Sequence, residues 1–89
     1  MILEEALALK KGTRLVATLS WIAPEQCTEG KIYVMRGDAR AVWPGKNFFD
    51  PTSEVQLRPD DTPCNAELPI IDDRGKLAYP TYHGFSVAE

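Results

Sequence analysis

Histidine occurs once in these 89 residues, as His83, and cysteine twice, as Cys27 and Cys64. That scarcity removes most metal and nucleophile constellations at the outset. Zinc sites commonly gather Cys and His ligands in closely spaced pairs, and here the cysteines stand far apart with no Cys-x-x-Cys motif. No apolar run reaches the roughly 18 residues that a membrane-spanning helix needs. Glu4 and Glu5 occupy the stretch where a secretion signal requires its apolar segment, so a cytoplasmic chain is expected. Two isolated cysteines fit a reducing compartment, each acting as a small hydrophobe. A disulfide between them is the other reading. An excess of basic charge is also missing. Ten Lys and Arg stand against thirteen Asp and Glu, a net of −3, which argues against a chain whose main work is gripping phosphate backbones.

The remaining composition is that of a globular chain. An apolar fraction of 44% is too high for a disordered segment. The length allows one domain, 1–89, with a modest core. Charge is divided unevenly: residues 1–46 carry a net of +2 and residues 47–89 a net of −5. An acidic second half can present a negative face to a basic partner. It also serves as an ordinary solubilising surface.

Along the chain, residues 1–10 read as one or two turns of helix, or as an extended lead-in ended by Lys10, Lys11 and Gly12. From residue 14 the pattern becomes β. Leu15, Ala17, Leu19 and Trp21 alternate through a first strand over 14–21. A second strand is predicted over 31–36 and a short third one over 39–43. Turn formers crowd 43–53, with Phe48 and Phe49 inside that loop. A strand is predicted over 54–58, followed by a Pro-bearing loop over 59–66. Residues 68–71 and 76–79 flank Asp72-Asp73-Arg74-Gly75 as a hairpin, with Gly75 supplying the positive φ. A final short strand covers 83–87. Short strands broken by Gly and Pro predict an all-β fold, with a short N-terminal helix as an option. At this size a small five- or six-stranded, SH3-like, partly open barrel is the natural form, with loop insertions around 43–53 and 59–66.

Three blocks carry a resemblance. They are Leu9 to Thr18, Thr28 to Val34, and Ile71 to Tyr79 followed by His83, Gly84 and Phe85. Together they resemble small SH3-like barrel proteins encoded by bacteriophages and prophages. The matching positions are Gly12, Gly30, Lys31, Tyr33, Val34, Asp72, Asp73, Gly75 and Phe85. The resemblance implies a fold, a phage origin and hence the cytoplasm of a bacterial host. It leaves activity open, since fold does not fix function.

Each chemical constellation has a plainer alternative. His83 as a general base would need an orienting carboxylate and a nucleophile at suitable spacing, and a hydrogen-bonded His in the last strand is the simpler reading. Asp60-Asp61 and Asp72-Asp73 are paired carboxylates, but adjacent residues of an extended segment point to opposite sides, and Asp in turns commonly bonds its own backbone. Cys27, Cys64 and His83 form at best a scattered ligand set. No enzyme, no metal and no cofactor are therefore expected.

Two binding surfaces remain. One is a partner-binding face made of Trp43, Phe48 and Phe49 with Asp60, Asp61, Asp72 and Asp73; aromatics in loops either fold back over the core or meet a partner. The other is basic: Lys10, Lys11, Arg14, Lys31, Arg36 and Arg40, with Tyr33 as a base-stacking platform for nucleic acid. The first surface predicts a non-catalytic phage protein that binds and modulates or inhibits a host protein. The second predicts a nucleic-acid-binding barrel, and a virion or assembly component is a third reading. No membrane association is expected.

Overall fold

The structure is a computed structural model and describes residues 1–43 and 62–88. It is mostly β, with one short helix. Helix α1 covers Leu3–Leu7 and buries Ala6. Strands follow as β1 (Arg14–Ala17), β2 (Ile32–Val34), β3 (Arg40–Val42), β4 (Asn65–Glu67), β5 (Ile70–Ile71) and β6 (Leu77–Ala78). A 3-10 turn at Tyr82–Gly84 then leads into β7 (Phe85–Val87). The expected strand over 54–58, the insertion over 43–53 beyond Trp43, and Phe48, Phe49, Asp60 and Asp61 all lie outside the described residues.

The strands form three small antiparallel sheets: β2-β1-β7, β3-β4 and β5-β6. Among the described residues they do not close into a barrel. Pro69 and Pro80 explain the breaks, because neither has an N–H to continue a ladder. Single bonds carry the chain across these gaps. Arg36 N donates to Pro69 O, Leu68 N donates to Pro80 O, and Glu67 bridges Thr81.

The central sheet sets the core. Leu15 lies opposite Tyr33 on one side and Val87 on the other, and Ala17 lies opposite Phe85. Period-2 alternation therefore puts Leu15, Ala17, Tyr33 and Phe85 on one face. That face meets Met35, Leu68, Ile70 and Cys27 in a single buried cluster. The opposite face carries Ile32 directly across from Val16 and Val34 across from Arg14, with Ile32 and Val34 exposed.

Several expectations are corrected. The first strand stops at Ala17, not at residue 21, because the chain bends at 18–19 and Ser20 Oγ accepts the Glu29 N–H at 2.8 Å. Leu19 consequently points outward and is 62% exposed. The loop over 59–66 ends earlier than expected. Cys64 N already donates to Val42 O at 2.8 Å, and Asn65 and Ala66 belong to β4. His83 sits in the 3-10 turn, not in the last strand, and is exposed with its ring tilted against Tyr82. The hairpin is as expected: Gly75 has φ 77° and Asp72 N pairs with Lys76 O. No described helix is long and apolar enough to cross a membrane.

Both cysteines are free thiols, Cys27 buried and Cys64 exposed. Burial pushes the Cys27 thiol up to about 11, against an ordinary value of 9.0. Titration of the native protein with a thiol reagent will therefore modify Cys64 promptly and Cys27 only as the chain unfolds. Two equally fast thiols in the native protein would contradict this packing.

Candidate partner-binding cleft

The local chain dictates a tight loop at 21–27. Trp21 N donates to Cys27 O and Cys27 N to Trp21 O, both at 3.0 Å, closing the loop with an isolated antiparallel bridge. The Ala23–Pro24 peptide is cis. Trp21 is half-buried: its ring meets Phe85 edge-on, with centroids 5.4 Å apart at 82°. Its indole Nε1 donates to Glu25 Oε1 at 3.1 Å. The ring is thus fixed by an aromatic edge on the core side and a carboxylate on its polar tip.

Gly84 completes the seat. A Cβ there would stand 2.8 Å and 2.9 Å from two carbons of the indole. Only glycine lets the 3-10 turn approach the ring so closely. Between the two segments lies a cleft of about 300 Å³, lined by Leu19, Ser20, Trp21, Glu25, Pro80, Thr81 and Gly84. Leu19 stands at its edge, and Ile22, 77% exposed, follows the indole in the chain.

The Asp72-Asp73 turn holds this loop from behind. Asp72 is 5% exposed. Its Oδ1 accepts the N–H groups of Arg74 (3.0 Å) and Lys76 (2.9 Å), while its Oδ2 accepts Gln26 N and Arg74 Nε, both at 3.3 Å. Arg74 Nη2 also donates to Pro24 O. Asp73 N donates to Gln26 O at 2.9 Å. The Asp73 carboxylate accepts Lys31 Nζ (2.6 Å), Thr28 Oγ1 (2.7 Å) and Tyr33 OH (2.7 Å). Lys31, then Thr28 and Tyr33, hold the Asp73 carboxyl at about 2, below the ordinary 3.8. The backbone N–H of Lys76 is the main cause of the downward shift at Asp72. Desolvation, reinforced by the bond to Asp73, raises the Tyr33 phenol to about 12.

These contacts relocate several expected site residues. Asp72 is inside the fold, with both oxygens committed to the turn and to loop 21–27, so it does not form part of a surface patch. Asp73 is committed likewise. Tyr33 is only 4% exposed, so its ring cannot serve as a stacking platform. Trp43 is partly exposed at the edge of the described segment. Among the basic candidates, Lys31 pairs with Asp73, Lys10 approaches Asp38 at 3.9 Å, and Arg40 approaches Glu67 at 3.9 Å while lying over Tyr79 at 4.5 Å. Backbone pairing does bring others together. Gly12 N donates to Met35 O, and Met35 N to Thr13 O, so the segment bearing Lys11 and Arg14 runs beside the one bearing Arg36; Ala39 N donates to Leu9 O, which brings the backbone at Arg40 beside that at Lys10. Among the described residues, no group of three or more His, Cys, Asp or Glu is placed to hold a metal ion, so Cys27, Cys64 and His83 form no ligand set.

Alternation places Leu19 and Trp21 on a strand face and so conceals the cleft. The available signal was Pro24 following closely on Trp21, with Glu25 four residues beyond it. Substitution of Gly84 by Ala tests the cleft's construction. The added methyl must displace an indole held on two sides, an overpacking worth about 1–3 kcal/mol. Altered near-ultraviolet circular dichroism should accompany the loss in urea titrations. An unchanged Trp signal would show that the indole is not seated as described.

No protein-family model, curated protein or solved structure matches this chain.

Proposed function

We propose that this chain is a non-catalytic binding module, an SH3-like, partly open barrel of phage or prophage origin. It docks on a host protein through the cleft beside Trp21 and modulates or inhibits that protein. The observation that carries the reading is apolar exposure at the cleft: Leu19, which lines it beside the half-buried Trp21 indole, is exposed, and so is Ile22, the residue after Trp21. Single exposed apolar residues mean little. A group of them around a rigid Trp has the make-up of an interface hot spot.

Two further observations support the reading. The polar groups best suited to chemistry, Asp72, Asp73 and Tyr33, are engaged in the fold's own hydrogen bonds. Several of the positions behind the phage resemblance occupy turns and core: Gly30 and Gly75 at positive φ, Tyr33 and Phe85 in the buried cluster. They support a shared scaffold.

Affinity capture from host lysate, followed by reconstitution with the purified partner, tests the proposal. The double variant Leu19→Ser/Ile22→Ser should lose at least about tenfold in affinity, while Arg14→Glu should not. A partner held equally by both variants would overturn the reading.

One observation favours nucleic acid as the alternative partner: the juxtaposition of Lys10, Lys11, Arg14, Arg36 and Arg40 on paired segments. Filter binding at graded salt distinguishes it. A phosphate-binding surface must weaken steeply with salt and with Arg14→Glu/Arg36→Glu.

A further inference from the structure

The geometry points to a specific occupant for the cleft: a cationic side chain, arginine or lysine, presented by the partner. This rests on the docking reading and names its chemistry. Three features of the site converge on that choice.

The first is charge. Among the described residues, Glu25 is the ionisable one lining the cleft, and its neighbours there are Leu19, Ser20, Trp21, Pro80, Thr81 and Gly84. Glu25 Oε1 takes the indole N–H. A carboxylate offers about four acceptor sites over two oxygens, so the bond from Trp21 orients the group while leaving it capacity for a second donor. That donor must be a cation or a neutral N–H or O–H, because a second carboxylate would be repelled.

The second is the wall. An indole is the strongest aromatic partner for a cation, within about 6 Å of its centroid. Trp21 is held in place by Phe85, Glu25 and Gly84 together. Preorganised in this way, it loses little freedom on binding.

The third is size and lining. About 300 Å³ lies at the small end of ligand pockets, right for one long side chain and too small for a folded segment. Leu19 and Pro80 supply an apolar channel for an aliphatic stem, and Glu25 meets the charged head. Long cationic side chains have this two-part character. Loop 21–27 is itself clamped by Asp72, Asp73 and Arg74, so the carboxylate is presented from a supported loop.

The test uses short capped peptides and the indole N–H resonance of Trp21, read in a Trp43→Phe background that leaves one indole in the chain. Four peptides differ only at their central residue: arginine, lysine, citrulline and glutamate. The arginine or lysine peptide should shift the Trp21 signal saturably. The citrulline peptide should bind at least about tenfold more weakly and the glutamate peptide not at all. Glu25→Gln, whose carbonyl can still accept the indole N–H, should remove the preference for the cation. Stronger binding of arginine than lysine assigns a planar guanidinium partner, and the reverse assigns an ammonium; either supports the inference. Equal binding of arginine and citrulline overturns it and leaves apolar docking standing. No shift from any peptide also overturns it. The docking reading is judged separately, on capture by the Leu19→Ser/Ile22→Ser variant.

Discussion

Leu15→Ala should cost this protein about 2–5 kcal/mol, the range for truncating a fully buried leucine. Leu15 has no exposed surface and sits mid-strand between Tyr33 and Val87. It is among the largest wholly buried side chains, and removing it opens a void between two sheets with little room to collapse. A chain of this length holds roughly 4–13 kcal/mol in total, so the loss is a large share and leaves the variant near its folding threshold. Ile32→Ala is the control. Ile32 lies on the outer face across from Val16, and its truncation should cost about 1 kcal/mol or less. Urea titrations of both variants read the difference. Equal losses would mean that β1 pairs one residue out of the register described, since such a slip exchanges the two faces.

What the sequence disclosed follows the range of the interactions involved. β2, β3, the Asp72–Gly75 hairpin and the end of the chain at β7 were legible because their signals are local: β-branched runs, a turn glycine, alternation over a few residues. The first strand was overextended because alternation through Leu19 and Trp21 continues a pattern that the backbone abandons at residue 18. What turns the chain there is bonding that alternation does not encode, Ser20 with the Glu29 N–H nine positions on and Trp21 with Cys27 six positions on. The same limit hid the cleft. Its walls come from 19–25 and 80–84, segments that no sequence spacing relates. Asp72 and Asp73 were recognised as turn residues, and the turn does use them. Their second task, clamping loop 21–27 at Gln26 across 46 or more positions, has no sequence signature. Tyr33 looked like a surface aromatic among basic residues, yet alternation with Ile32 and Val34 carries it to the inner face.

That clamp yields the second large effect. In Asp72→Ala, the N–H groups of Gln26, Arg74 and Lys76 lose their acceptor together, and Arg74 loses its carboxylate partner. Each part-buried donor that loses its acceptor costs stability, and the hairpin and loop 21–27 depend on the same oxygens. A fall of about 10 °C or more in the unfolding midpoint is expected for a domain this small. Asp72→Asn should recover only part of it. Its oxygen can replace Oδ1 toward Arg74 and Lys76, but its amide presents hydrogens to the Gln26 and Arg74 donors. Acid titrates the same clamp. The Asp73 carboxyl lies at about 2 in the folded chain against 3.8 ordinarily, so the folded state binds the proton more weakly than the unfolded one. Its contribution is complete above pH ~5 and is lost as pH falls toward ~2. Asp72 is shifted in the same direction and steepens the same limb. Asp73→Asn should therefore be less stable near neutrality and lose less on acidification, so its stability profile flattens between about pH 5 and 2. Denaturant titrations across that range decide the matter. A profile for Asp73→Asn parallel to that of the parent would show that Lys31, Thr28 and Tyr33 do not stabilise its charge.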